Sequence, residues 1–382
     1  MLSLAQRDPN EAHRASTPLE LFVDLASVIA IAAAAAGLHH GVAEGHAAES
    51  VLTFLLAFGG IWWAWMNYTW FASAYDDGGL VFKTATFVFL AGALVMAAGI
   101  RAFFETHHPG LILAGYVIMR AAMITLWLAA AGQGSHSRTT CLRYAAGILV
   151  TQIFWIVLIA GFWQWSAPML WLYAAGLAAE LAVPIWAERA SPTPWHRHHI
   201  IERYGLLTII VLGEMLLAIS SAIHGAQDPG HLNGALLRTA ASGMLITFSM
   251  WWVYFCREDH LQSRAPARTF VWGYGHFLVF ASAAATGAGF GVLTDVLTGH
   301  AHSGPEAGHR LIAASVGLYF AALWFIRDRF HHAGAPASIL LLAGLGCFAA
   351  PLTPWPTEAV AVIAVAAASL RAWRIDTRSG KP

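Results

Sequence analysis

The chain is 382 residues long; 58% of them are hydrophobic, only 11% are charged, and Lys+Arg and Asp+Glu balance at 21 each. Soluble domains carry about 25% charged residues. The composition therefore excludes a soluble globular enzyme, a disordered chain and a nucleic-acid binder, which needs a basic face, and leaves an all-α polytopic membrane protein with the lipid bilayer as its first partner.

Residues 1–17 are polar and carry Arg7 and Arg14. They lack the apolar core of a cleavable signal and read as a flexible cytoplasmic leader. Apolar stretches of about 20 residues, enough to cross a bilayer, then begin near Pro18, Ser50, Lys83, Pro109, Cys141, Ala167, Arg203, Gly234, Arg268, His309, Ala335 and Thr357. The last two flank Pro351–Pro356 and are short. This predicts 12 transmembrane helices with both termini on one side. The opposite side then holds only Arg101, Arg238 and Arg310, and Arg120 falls inside a span, while every other Lys and Arg lies with the termini. Positive residues mark the cytoplasm, so both ends are expected there, in an inner (plasma) membrane.

The pattern suggests an internal repeat. Trp62-Trp63-Ala64-Trp65 in the second span resembles Trp251-Trp252-Val253-Tyr254 in the eighth, and Glu20 enters the first span much as Glu202 enters the seventh. The expected division is a tail (1–17), a six-helix half (18–188), a linker (189–202), a second half (203–374) and a tail (375–382). An even number of spans per half makes the halves parallel, an arrangement found in transporters with substrate sites at the repeat interface.

Several strings are distinctive: Thr17-Pro18-Leu19-Glu20-Leu21-Phe22-Val23-Asp24-Leu25; Trp62 to Phe71; Gly115-Tyr116-Val117-Ile118-Met119-Arg120; and His199-Ile200-Ile201-Glu202-Arg203-Tyr204-Gly205-Leu206, leading to Leu212-Gly213-Glu214. Together, over roughly residues 17–330, they resemble the bacterial low temperature requirement protein A family. The resemblance implies an integral bacterial membrane protein with many spans and no settled biochemical activity. Two positions depart from its pattern: Asp76-Asp77 is followed by Gly78-Gly79, and Cys256 stands where an acid is expected.

Ionisable groups inside spans are costly and usually face a partner in the bundle interior. Glu20 and Asp24, four residues apart, share a helix face. Two carboxylates so close in a poorly hydrated place are suited to proton coupling or acid catalysis; alternatively, both pair with Arg203 or Arg189 and fix packing. Arg120 and Glu214 fall near the middle of their spans and are expected to pair, with Glu180 as the alternative partner. His199, beside Glu202 and Arg203, and His276, beside Tyr274, read as packing residues or proton relays. Trp63, Asn67 and Trp70 share one face and suit either a substrate pocket or packing. Gly287-xxx-Gly291 and Ala32 to Ala36 permit close helix contact.

Among 19 histidines, His39, His40, His46, His107, His108, His224, His231, His300, His302 and His309 fall in expected outer loops. None shows the helical spacing of a metal site. Asp76 and Asp77 are the weak metal candidates, and two carboxylates alone specify little. Cys141, Cys256 and Cys347 are too scattered for a disulfide framework or zinc motif. No nucleotide loop, GxSxG, HExxH or CxxC occurs, so no cofactor is implied.

Three functions remain open. One is a secondary, proton-coupled transporter of an unidentified small molecule, with Glu20 and Asp24 as protonation sites and Arg120, Glu180 and Glu214 as a polar core. The second is an intramembrane enzyme acting on a lipid or prenyl substrate by acid catalysis in a Trp-lined pocket. The third is a non-catalytic cold- or stress-tolerance protein. Substrate and oligomeric state are left open.

Overall fold

The computed structural model describes residues 4–12, 14–132, 137–225, 234–256, 261, 265–331 and 338–379. Of the residues named above, His231 and Ala335 lie outside them. The described residues form α-helices and no strand: α1 (Pro18–Ala43), α2 (Ala47–Tyr75), α3 (Leu80–Thr106), α4 (Gly110–Ala131), α5 (Arg138–Ile156), α6 (Ala167–Glu188), α7 (Arg197–Gly225), α8 (Gly234–Phe255), α9 (Pro266–Thr298), α10 (Pro305–Leu323), α11 (Ile339–Ala349) and α12 (Pro356–Ser379). Pro266 and Pro305 stand in the first turns of α9 and α10, where the missing N–H costs nothing. Gly299 ends α9 with φ of +77°, a conformation that favours glycine.

The pattern of exposure is the reverse of a soluble fold. On α1, Phe22, Leu25 and Ile29 are exposed while Glu20 and Asp24 are fully buried. Backbone hydrogen bonds satisfied within each helix and apolar outer surfaces are what a bilayer requires. Among the described residues nine helices, α1–α7, α9 and α10, are long and apolar enough to cross a membrane. That is fewer than the 12 expected, for local reasons. Arg238, Thr239, Ser242, Thr247 and Ser249 make α8 more polar. The apolar α11 stops at the Pro351 turn, and the end of α12 carries Arg371, Arg374, Asp376 and Arg378.

The chain forms two compact units, Met1–Ala34 with Leu56–Tyr204, and Ala35–Leu55 with Gly205–Pro382. In the first unit α3 and α4 touch backbone to backbone. A Cβ at Gly92 would lie 2.8 Å from the Gly115 carbonyl oxygen, and one at Gly115 would lie 2.4 Å from the Met96 nitrogen. Aromatic rings fill the inner part of this unit, where Trp127 stacks on Tyr144 at 4.0 Å and meets Phe71 edge-on. The N-terminal segment is packed here and is not the free leader expected. Arg7 N–H donates to the Ala74 carbonyl at 2.9 Å, its Nη1 donates to the Asp76 carbonyl, and Arg14 is buried against Glu20. A buried guanidinium needs a counter-charge, and that requirement anchors the segment.

In the second unit the 33-residue α9 is the central element. Its Gly289 accepts Ile312 of α10, and Gly317 of α10 meets Gly344 of α11 through their backbones. Trp251 and Trp252 are exposed on α8, whereas Trp62 and Trp63 are buried on α2; the two similar strings therefore meet different surroundings.

Candidate functional site

Helices α2 to α6 of the first unit line a cavity of about 60 Å³. Its walls are helical stripes: Leu56, Gly60 and Trp63 on α2; Ile112, Leu113 and Tyr116 on α4; Tyr173, Leu177 and Glu180 on α6. Residues i, i+4 and i+7 lie on one face, and seven residues of helix span roughly 10 Å, which sets the depth. Trp155 and Trp163 complete an aromatic lining. The Tyr173 hydroxyl donates to the Leu56 carbonyl at 3.0 Å, and the Trp163 indole N–H to the His107 carbonyl at 2.7 Å. Both rings are thereby fixed. Gly59 creates room: a Cβ there would meet nothing within 4 Å.

The polar end of this cavity is Glu180. Its Oε2 accepts from the Trp63 indole at 2.9 Å and from Arg120 Nη2. Its Oε1 accepts from the Trp155 indole at 3.1 Å and the Tyr116 hydroxyl at 3.2 Å. Arg120 also lies over the Tyr116 ring, 4.9 Å from its centroid, while its Nε and Nη1 meet no acceptor among the described residues. Glu180 and Arg120 are each about 1% exposed. A lone buried charge costs several kcal/mol, so each holds the other in place. Four donors thus share the two oxygens of Glu180.

A second buried network surrounds the start of α1. Asp24 Oδ1 accepts from Arg203 Nη2 at 2.5 Å and from the Trp65 indole at 2.6 Å. Its Oδ2 is buried without a donor among the described residues. Glu20 Oε1 lies 3.0 Å from His199 Nε2, 3.2 Å from Arg14 Nη2 and 3.7 Å from Arg203 Nη1. Its Oε2 accepts from the Thr17 N–H at 2.7 Å, the reciprocal half of an N-terminal capping box. Asp76 Oδ2 stands 3.8 Å from Arg14. With Arg7 and its partner Glu11 at the edge, four carboxylates face three guanidiniums and one imidazole, so without a charge on His199 the network is one positive charge short. Asp76 follows the end of α2. Burial pushes its carboxyl above the ordinary range and the Glu20 carboxylate adds to this, against the Gly78 N–H and the Arg14 and Arg7 guanidiniums.

The α2 stripe that lines the cavity continues beyond it. Asn67 donates to the Trp63 carbonyl at 2.8 Å, and Trp70 donates to the Tyr204 hydroxyl at 2.9 Å and meets Trp195 edge-on. Trp63 alone of the expected face reaches the cavity. Arg120 takes Glu180, the alternative partner; Glu214 is half-buried in the part of α7 belonging to the second unit. Glu202 is exposed and holds the Ser16 N–H at 3.2 Å. Asp76 and Asp77 accept from the Gly78 and Gly79 N–H groups at 2.9 and 2.8 Å, as acids in tight turns do. In the second unit, His276 donates from Nδ1 to the Trp272 carbonyl at 2.7 Å, and its Nε2 lies 3.1 Å from the Tyr254 hydroxyl. Both ring nitrogens have partners.

Sequence reasoning missed Arg14, Trp155, Trp163 and Tyr173. It also missed a buried network in the second unit. There Arg327 donates to the Tyr254 and Val253 carbonyls at 2.9 Å, and Asp328 takes both Arg327 and Arg371. Arg371 Nε also lies 3.1 Å from Cys256 Sγ. The signal was the Arg327-Asp328 pair at the end of an apolar run.

The family model of the bacterial low temperature requirement A protein (LtrA) matches residues 15–372. The chain belongs to this family. It is also 28% identical over 294 residues, covering 71% of this chain and 67% of the relative, to an uncharacterized protein of Rhizobium meliloti (strain 1021). With the helices above, this makes it a multi-pass bacterial membrane protein. In this LtrA family member the distinctive strings meet in the first unit: Glu20 and Asp24 from the first, Trp63 and Trp65 from the second, Tyr116 and Arg120 from the third, His199 and Arg203 from the fourth.

Two outcomes follow from this geometry. Glu180→Leu strands the Arg120 charge and is expected to lower stability by about 3–5 kcal/mol; adding Arg120→Leu restores most of it. Thermal unfolding in detergent checks this, and additive losses in the double variant would contradict the pairing. For Asp76, a raised carboxyl favours the folded state only while protonated. Its contribution is full below the ordinary carboxylate range and lost as pH rises through the folded value. Asp76→Asn should therefore gain on the wild type in melting temperature as pH rises above about 4, and a constant difference from pH 4 to 8 would contradict the raised carboxyl.

Proposed function

We propose that this LtrA family member is a secondary transporter that carries a small, largely apolar molecule with one polar end, coupled to proton movement. The observation that carries this reading is the aromatic cavity of the first unit, lined by Glu180, whose carboxylate Arg120 holds from outside the lining. Apolar walls with a few fixed polar groups are the usual make-up of a small-molecule site. The charge-deficient network of Glu20, Asp24, Asp76, Arg14, Arg203 and His199 supplies a place for one proton. Helix α2 joins the two through Trp63, on Glu180, and Trp65, on Asp24. The division into two parallel six-helix halves, 18–188 and 203–374, with both termini cytoplasmic, belongs to this proposal, as do Glu214, Glu202 and His276 as further residues along a pathway.

The enzyme reading draws on the same Trp63, Trp155 and Trp163 walls, since indole faces stabilise a developing cation. It is the weaker reading because acid catalysis needs a proton donor in the pocket. Glu180 is occupied by four donors, and neither Glu20 nor Asp24 lines the cavity.

Purified protein in liposomes, with a metabolite panel and an internal pH dye, tests the proposal. Substrate-dependent proton flux is expected in the wild type, with loss of at least tenfold in Asp24→Asn and Glu180→Gln. Flux unaffected by both changes, or no flux for folded wild type across the panel, would overturn it. Turnover of a prenyl diphosphate or lipid by the same preparation would favour the enzyme reading.

A further inference from the structure

A second cluster lies in the second unit, where the last turns of α1 and α9 meet. His39, His40 and Asp295 each offer a ligand atom within 4.8 Å of the others. His39 Nε2 is 2.7 Å from Asp295 Oδ2, and the His39 and His40 rings stack with centroids 4.7 Å apart. We propose that His39, His40 and Asp295 bind a divalent transition-metal ion, Zn²⁺ or a chemically similar cation, with water completing its coordination.

The ligand set selects this class of ion. Imidazoles suit Zn²⁺, Co²⁺, Ni²⁺ and Cu²⁺, whereas Mg²⁺ and Ca²⁺ prefer oxygen ligands. Two His and one carboxylate plus water complete a four-coordinate centre with an exchangeable position. Bonds of about 2.0–2.2 Å to Zn²⁺ place neighbouring ligands of a tetrahedral ion roughly 3.3 Å apart. The His39–Asp295 contact would open by about half an ångström and the exposed His40 would swing inward.

The surroundings hold two of the ligands in place. Gly291 and Asp295 are four residues apart and share a face of α9. A Cβ at Gly291 would lie 2.9 Å from the His39 ring, so only glycine admits the imidazole this close. Beyond the site, the His302 and Ser303 N–H groups donate to the Ala43 carbonyl at 3.0 and 2.8 Å. His302 Nδ1 also lies 2.5 Å from Glu44 Oε2. These contacts fasten the end of α1, and the His300 N–H donating to the Asp295 carbonyl at 2.7 Å fastens the end of α9.

The test uses the full chain in detergent, with any affinity tag removed and bound metal stripped by chelator. Co²⁺ is titrated while visible absorption is recorded, and Zn²⁺ is then added in competition. The wild type is expected to bind one equivalent with the bands of a low-symmetry nitrogen–oxygen site, displaced by Zn²⁺. His39→Gln and Asp295→Asn should weaken binding at least tenfold. His40→Gln, at an exposed position that leaves packing intact, should weaken it and change the spectrum. His108→Gln, a loop histidine of the first unit, should bind as the wild type does. Absence of a saturable equivalent in the wild type, or wild-type binding in His40→Gln, would overturn the proposal and leave His39–Asp295 as a plain ion pair.

Discussion

A charge inside a bilayer must be paired, and the first unit is organised by that requirement. Glu180 is held by Arg120 together with two indoles and a tyrosine hydroxyl, so its carboxylate is never left facing hydrocarbon. Asp24 and Glu20 are held in the same way by Arg203 and Arg14. The penalty for an unpaired ion there is several kcal/mol, comparable with the whole margin of a folded domain. The partners therefore fix which faces of α1, α2, α4, α6 and α7 turn inward, and the apolar faces are left for lipid.

The aromatic cavity follows from the same arrangement. The donors that satisfy Glu180 are mostly large rings whose polar tips point at the carboxylate and whose faces become walls. Trp63, Trp155 and Tyr116 serve both purposes. Small residues then keep the space open, with Gly59 and Gly60 on α2 where larger side chains would fill it. The lining is apolar and aromatic apart from Glu180 and the tyrosine hydroxyls.

Much of this was legible in the sequence, and the illegible parts have physical causes. Composition and apolar stretches give the membrane class, and the cost of intramembrane charge singles out Glu20, Asp24, Arg120, Glu180 and Arg203. Helical periodicity places residues on a face of their own helix and is silent about the facing helix; hence Arg120 meets Glu180 where Glu214 was the first expectation. The stripe Trp63, Asn67, Trp70 is real, but its register along the axis matters: the cavity ends at Trp63, and the next two turns lie beyond its floor. Arg14 was hidden because a polar tail carries no pattern that announces docking. His39, His40 and Asp295 were hidden because about 250 residues separate the two parts in sequence, and no ligand spacing links them.

The claim on which the account rests is that the cavity beside Glu180 is the ligand site. Thermal stabilisation by a metabolite panel, measured on the wild type and on Gly59→Leu, addresses it most directly. A Cβ at that position meets nothing within 4 Å, so the variant is expected to fold. The account predicts that compounds raising the wild-type melting temperature leave the variant unmoved. Equal shifts in both proteins, or a variant that fails to fold, would contradict it.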